Sequence, residues 1–184
     1  HPRTWLDHLA YDEKGYQLVT TEVVGHLKTL VQDVDLDVRR AAADGLSSLA
    51  RHIRITDVPK VLLPIALFLA QHLPKNPHVK KKSEQDQHHE ELRIAAGNLL
   101  AELGGAASEY RLHESPQEHA YVETKILPAV LQLCEDSSFR VRRSAAQALP
   151  RVLGACSVDI VKTQILPAFD KLSRDDLYRV RKST

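Results

Sequence analysis

The chain has 184 residues, of which only 5% are aromatic, so any core must be built from Leu, Val, Ile and Ala. Its 25 Lys and Arg nearly cancel 24 Asp and Glu, which gives no overall pull toward nucleic acid or an anionic membrane. The best apolar run, Val61 to Leu73, is too short to span a bilayer and contains Pro64.

Two cysteines, Cys134 and Cys156, are too few for a disulfide scaffold. Both fall in apolar helical patterns and are expected as buried free thiols, which favours a cytoplasmic or nuclear location. No signal peptide is visible. The chain contains no Met and ends where a repeat begins its second helix, so it is expected to be a piece of a longer protein.

Trp5, Leu6 and Leu9 are expected to belong to the second helix of a preceding repeat, with Tyr11 to Tyr16 leading onward. A first helix-turn-helix unit, about residues 17–53, places Val23, Val24, Leu27 and Leu30 before Asp33, then Val38, Arg39, Leu46 and Leu49 after it. A second unit, about 57–106, opens with Leu62-Leu63-Pro64-Ile65 and resumes at Leu92-Arg93 and Leu100 to Leu103. Between these halves lies an insertion of 15 residues, within about 74–91.

The insertion sets Lys75, Lys80, Lys81 and Lys82 against Glu84, Asp86, Glu90 and Glu91 and holds a single Val. It cannot build a core of its own and is predicted to be a solvated, mobile loop. Gly104-Gly105 reads as a helix end.

The third unit, about 115–156, starts with Ser115-Pro116-Gln117-Glu118, a capping serine, a proline suited to the first turn and a glutamate that closes the box. Val122, Ile126, Val130 and Leu133 then mark one apolar face. A turn is predicted at Asp136-Ser137-Ser138, a second helix from Phe139 to Leu153, and a cap at Gly154. The fourth unit, about 158–184, repeats the third: Ile126-Leu127-Pro128-Ala129, Asp136 and Arg140-Val141-Arg142-Arg143-Ser144 return as Ile165-Leu166-Pro167-Ala168, Asp175 and Arg179-Val180-Arg181-Lys182-Ser183, always 39 residues on.

A period near 40 predicts an all-α architecture, a right-handed α-α superhelix of about four to five helical hairpins. Pro64, Pro128 and Pro167 recur at one phase of the first helices, and each is predicted to bend its helix, since an interior proline costs about 3 kcal/mol.

Proline in the first helix, aspartate eight residues on, then valine and arginine five and six further, resembles the HEAT repeat. Pro128, Asp136, Val141 and Arg142 fit this pattern, as do Pro167, Asp175, Val180 and Arg181. The first unit has Gly25 where the proline would stand, and the second has no Asp in register. The Ile-Leu-Pro-Ala opening and the Val-Arg-Arg or Val-Arg-Lys start of the second helix are similar to repeats of the scaffold-subunit family of protein phosphatase 2A and the related regulatory subunit 1 family of protein phosphatase 4. That resemblance implies a non-enzymatic scaffold that holds a Ser/Thr phosphatase catalytic subunit through the turns of its superhelix.

Two sets of residues follow. Asp33 with Arg39, Asp136 with Arg142, and Asp175 with Arg181 are each six apart across a turn, and Arg93 matches these arginines. Arginine can fork onto a carboxylate, and the resemblance implies a structural ladder along the turn edge. Beside it stand Arg40, Arg143 and Lys182, with Arg140 and Arg179, and Phe139 matched by Tyr178. Arginine and aromatic side chains dominate interface hot spots, so these seven form the candidate partner-binding ridge.

Chemistry-bearing motifs are missing. Among ten His, the densest group, His88-His89-Glu90-Glu91, lacks the spacing of a helical zinc motif, and no metal or other cofactor is expected. Neither a nucleophile elbow nor a glycine-rich phosphate loop occurs. Lys80-Lys81-Lys82 lacks the interleaved aromatics of a single-strand binder. The alternative readings are a transport or tubulin-binding adaptor of the same repeat class, and a repeat-based DNA glycosylase, which would need a strongly basic concave face.

Overall fold

The computed structural model of the chain describes residues 12–71, 82–110 and 120–184. The expected helix around Trp5, the Ser115 start signal and the first part of the insertion lie outside the described residues. Every regular element among the described residues is helical.

The first unit comprises α1 (Glu13–Leu18), a π-helical turn (Val19–Val23), α2 (Val24–Leu30) and α3 (Leu36–Leu49). The second has α4 (Val58–Val61), α5 (Leu63–Ala70) and the long α6 (Lys82–Tyr110). The third has a π-helical turn (Val122–Ile126), α7 (Leu127–Cys134) and α8 (Phe139–Leu153). The fourth runs α9 (Val158–Ile160), a π-helical turn (Val161–Ile165), α10 (Leu166–Ser173) and α11 (Tyr178–Arg181). α6 packs along α5 and α8 and touches α3, while α8 goes on to α7 and α11. Second helices thus stack in chain order, as in a solenoid.

One continuous apolar cluster runs through the stack. Leu46 and Leu49 of the first unit, Leu62, Leu69, Leu99, Leu100 and Leu103 of the second, and Ile126, Leu133 and Leu149 of the third are fully buried. Each such side chain contributes about 1.5–3 kcal/mol relative to an exposed one. No repeat encloses these residues alone, so the core exists only in the stack. Cys134 and Cys156 are buried free thiols within it, and burial pushes the Cys134 thiol up to about 12.

The recurring prolines have a more specific setting than a bend within an α-helix. Pro128 and Pro167 sit in the first turn of α7 and α10, directly after a π-helical turn. The wider turn accommodates a residue that offers no N–H and would crowd the carbonyl four residues back. The first unit has the same π-turn at Val19–Val23, in register with Val122–Ile126, although Gly25 replaces the proline. The distortion thus recurs in the first, third and fourth units, with or without the proline, whereas Pro64 of the second unit stands in the first turn of α5 with no π-helical turn before it.

Two expectations are overturned. Residues 82–91 are not a loop: they form the first three turns of α6. Gly104 and Gly105 do not end a helix but lie within α6. A Cβ at Gly104 would stand 2.7 Å from Val152 Cγ2 and 3.1 Å from Val152 Cα, and one at Gly97 would stand 2.6 Å from Ser144 Oγ. These glycines let α6 and α8 approach closely. Gly154 closes α8 with ordinary right-handed angles instead of a left-handed cap. A Cβ there would collide with Ser108.

Candidate functional site

The turns between paired helices follow one plan. Asp33, Asp136 and Asp175 each accept, through Oδ1, the backbone N–H two residues on: from Asp35 at 2.8 Å, Ser138 at 2.8 Å and Leu177 at 2.9 Å. This local bond is why aspartate suits the position. Asp35 and Ser138 then cap α3 and α8 by accepting further N–H groups.

The ladder arginines clamp these turns from within. Arg39 Nη1 donates to the carbonyls of Asp33 and Val34, Arg142 Nη1 to those of Asp136 and Ser137, and Arg181 Nη1 to those of Asp175 and Asp176. The arginine therefore meets the backbone of its own turn, and its carboxylate partner is one repeat further on. Arg93 Nε and Nη2 reach Asp136 at 2.7 and 3.2 Å, and Arg142 Nε and Nη2 reach Asp175 at 2.7 and 3.0 Å. The six-residue pairing expected within each unit is thus corrected: the fork links neighbouring repeats. The bonds from Arg142 hold the Asp175 carboxyl below the ordinary carboxylate range.

The ridge residues divide by environment. Arg143, Arg179 and Lys182 are exposed, and Tyr178 is 62% exposed. Phe139, its counterpart, is half-buried against the core. Arg40 and Arg140 converge on one carboxylate: Glu91 Oε1, buried, accepts from Arg40 Nη2 at 3.2 Å and from Arg140 Nη2 at 2.7 Å. Arg140 also reaches Glu90 at 3.4 Å, and Glu90 accepts from Ser138 Oγ at 2.9 Å. The start of α6 therefore ties the first unit to the third, and two ridge arginines are engaged within the fold.

Sequence reasoning missed Glu90, Glu91 and His88. Their signal is helical phase: His88, Glu91, Ala95 and Leu99 continue upstream the spacing that begins to look apolar only at Leu92. His88 is buried. Burial, then the nearby Arg39 and His89, push its imidazole down to about 4. The folded chain holds the neutral form, while the unfolded chain takes up a proton near 6.5. Stability is therefore whole above about pH 6.5 and falls as pH drops toward 4. His88→Leu should flatten this part of the profile, read as urea midpoints between pH 7 and pH 5.

No group of His, Cys, Asp and Glu among the described residues could hold a metal ion. No helix among them is long and apolar enough to cross a membrane.

The family model described as HEAT repeat matches residues 126–156, the segment that contains α7, the Asp136 turn and α8. With the stacked helices and inter-repeat forks, this defines an all-α HEAT-repeat solenoid. No curated protein matches the chain. The class is that of helical-repeat scaffolds and adaptors, which generally mediate protein–protein interaction.

Proposed function

We propose that the chain is a non-enzymatic scaffold or regulatory subunit that docks a Ser/Thr phosphatase catalytic subunit of the 2A/4/6 class on its repeat turns. The observation that carries docking at this edge is the division of labour there. Ladder arginines are spent on backbone carbonyls and inter-repeat aspartates, while Tyr178, Arg179, Arg143 and Lys182 stand in solvent beside them. An exposed tyrosine among guanidinium and ammonium groups supplies an anchor with a charged rim. The choice of a phosphatase rests on the likeness of the Ile126-Leu127-Pro128-Ala129 and Val141-Arg142-Arg143 segments to phosphatase scaffold repeats.

The test is interferometry with purified catalytic subunits of phosphatases 2A, 4 and 6. At least one should bind the immobilised chain. Tyr178→Ala combined with Arg179→Glu should weaken that binding at least ~10-fold, with the thermal midpoint unchanged. If none of the three binds, the phosphatase reading fails. If one binds and the double variant binds equally well, the turn edge is not its dock.

A further inference from the structure

We propose that the groove between α3 and α6 is a binding site for an acidic side chain of a partner peptide, with Arg39 as the residue that receives its carboxylate. The starting point is the ladder. In two successive rungs an arginine clasps, through Nε and Nη2, the aspartate of the next repeat. Arg39 has the equivalent place in the first unit and keeps the Nη1 bonds to its own turn. The second unit, however, has no Asp in register, and residues 72–81 contain neither Asp nor Glu. Arg39 is only 7% exposed, and among the described residues its Nε has no hydrogen-bond partner. A buried donor left unpaired is costly, so a carboxylate that completed the fork would be favoured.

Arg39 lines a groove of about 270 Å³ that supplies the rest of such a site. Arg40 and Arg140 also line it, and the three guanidinium groups outnumber the carboxylates of Asp44 and Glu91. Val31, Ala43 and Leu92 give it an apolar wall. A carboxylate beside an aliphatic side chain fits this combination. Burial pulls the Arg39 guanidinium below its ordinary value, whereas donation to the Asp175 carboxylate raises that of Arg142. The site does not depend on which protein docks at Tyr178.

The probe is a fluorescein-labelled hexapeptide of alternating Glu and Leu, with the Gln–Leu hexapeptide as control, titrated with the chain at physiological ionic strength. The glutamate peptide should bind at least ~10-fold more tightly than the control. In the unaltered chain, amide shifts should centre on residues 36–49 and 91–98. Arg39→Lys keeps the charge but loses the fork, and should weaken binding ~10-fold. Should that variant fail to fold, Ala43→Trp, which fills the groove and leaves Arg39 in place, must produce the loss. Equal binding of the two peptides, shifts centred elsewhere, or a folded variant that binds as the parent does would overturn the proposal. Displacement of the peptide by inorganic phosphate at lower concentration than by acetate would overturn the carboxylate assignment.

Discussion

Arg93→Ala is expected to destabilise the solenoid by about 3–5 kcal/mol, lowering its thermal midpoint by roughly 10 °C. Arg93 and Asp136 have side chains only 9% and 6% exposed, and two charge-assisted bonds join them across the repeat boundary. Without the guanidinium, Asp136 keeps the N–H of Ser138 but is left as a buried carboxylate without its forked partner. Arg142→Ala should cost less, because that pair is 19% and 9% exposed. Its contribution, through the depressed Asp175 carboxyl, is present above the ordinary carboxylate range near pH 4 and is lost as pH falls below it. Arg181→Ala should cost within about 1 kcal/mol, since its Nη1 bonds run to the carbonyls of Asp175 and Asp176 in an exposed setting. The order Arg93, Arg142, Arg181 in urea or thermal midpoints is the check. Three equal losses would show that the arginine's place in its own turn, and not the inter-repeat fork, carries the stability.

The ladder also shows where the sequence was legible. A spacing of 39 residues is a translation along the chain, and it identified the helix pairs, the Asp136 turn and the bounds of α8. It could not say which repeat each side chain faces. Six residues separate Asp136 from Arg142, which invites a local pair, yet the stack brings Asp175 to Arg142 and Arg93 to Asp136. Partners across a repeat boundary are set by superhelical geometry, which no spacing within one unit encodes.

Residues 82–91 failed for a different reason. They hold little apolar surface, and judged by core-building alone they resemble a loop. Their composition is nonetheless rich in Glu and Gln, with Glu84 and Asp86 near the helix start, and such residues favour a helix extended from a stable one. Once helical, the segment brings His88 and Glu91 against the first unit, where Glu91 meets Arg40. The candidate ridge was changed by the same contact. Arg40 and Arg140 read as free neighbours of the ladder, but a carboxylate from the supposed loop engages both.

The second large effect is expected where two helices are closest. Gly104→Leu should lower stability by about 2–3 kcal/mol. Glycine in a helix interior is itself unfavourable, by about 1 kcal/mol relative to alanine, so a substitution at an open position of α6 would stabilise it. Gly104 is not open: the first added carbon would stand 2.7 Å from Val152 Cγ2 and 3.1 Å from the Cα of the same residue. The methyl group could rotate away, but the Cα is backbone, and moving it shifts α8 on α6. That pair of helices carries Leu99, Leu100 and Leu103 on one side and Ala145, Ala148 and Leu149 on the other, all buried, so separation would open the middle of the stack. Gly25, whose added carbon would meet nothing within 4 Å, is the matched control, and Gly25→Ala should raise stability by about 0.5–1 kcal/mol. Urea midpoints of the two variants should move in opposite directions. If Gly104→Leu also gains stability, the close approach of α6 and α8 is not what the glycine serves.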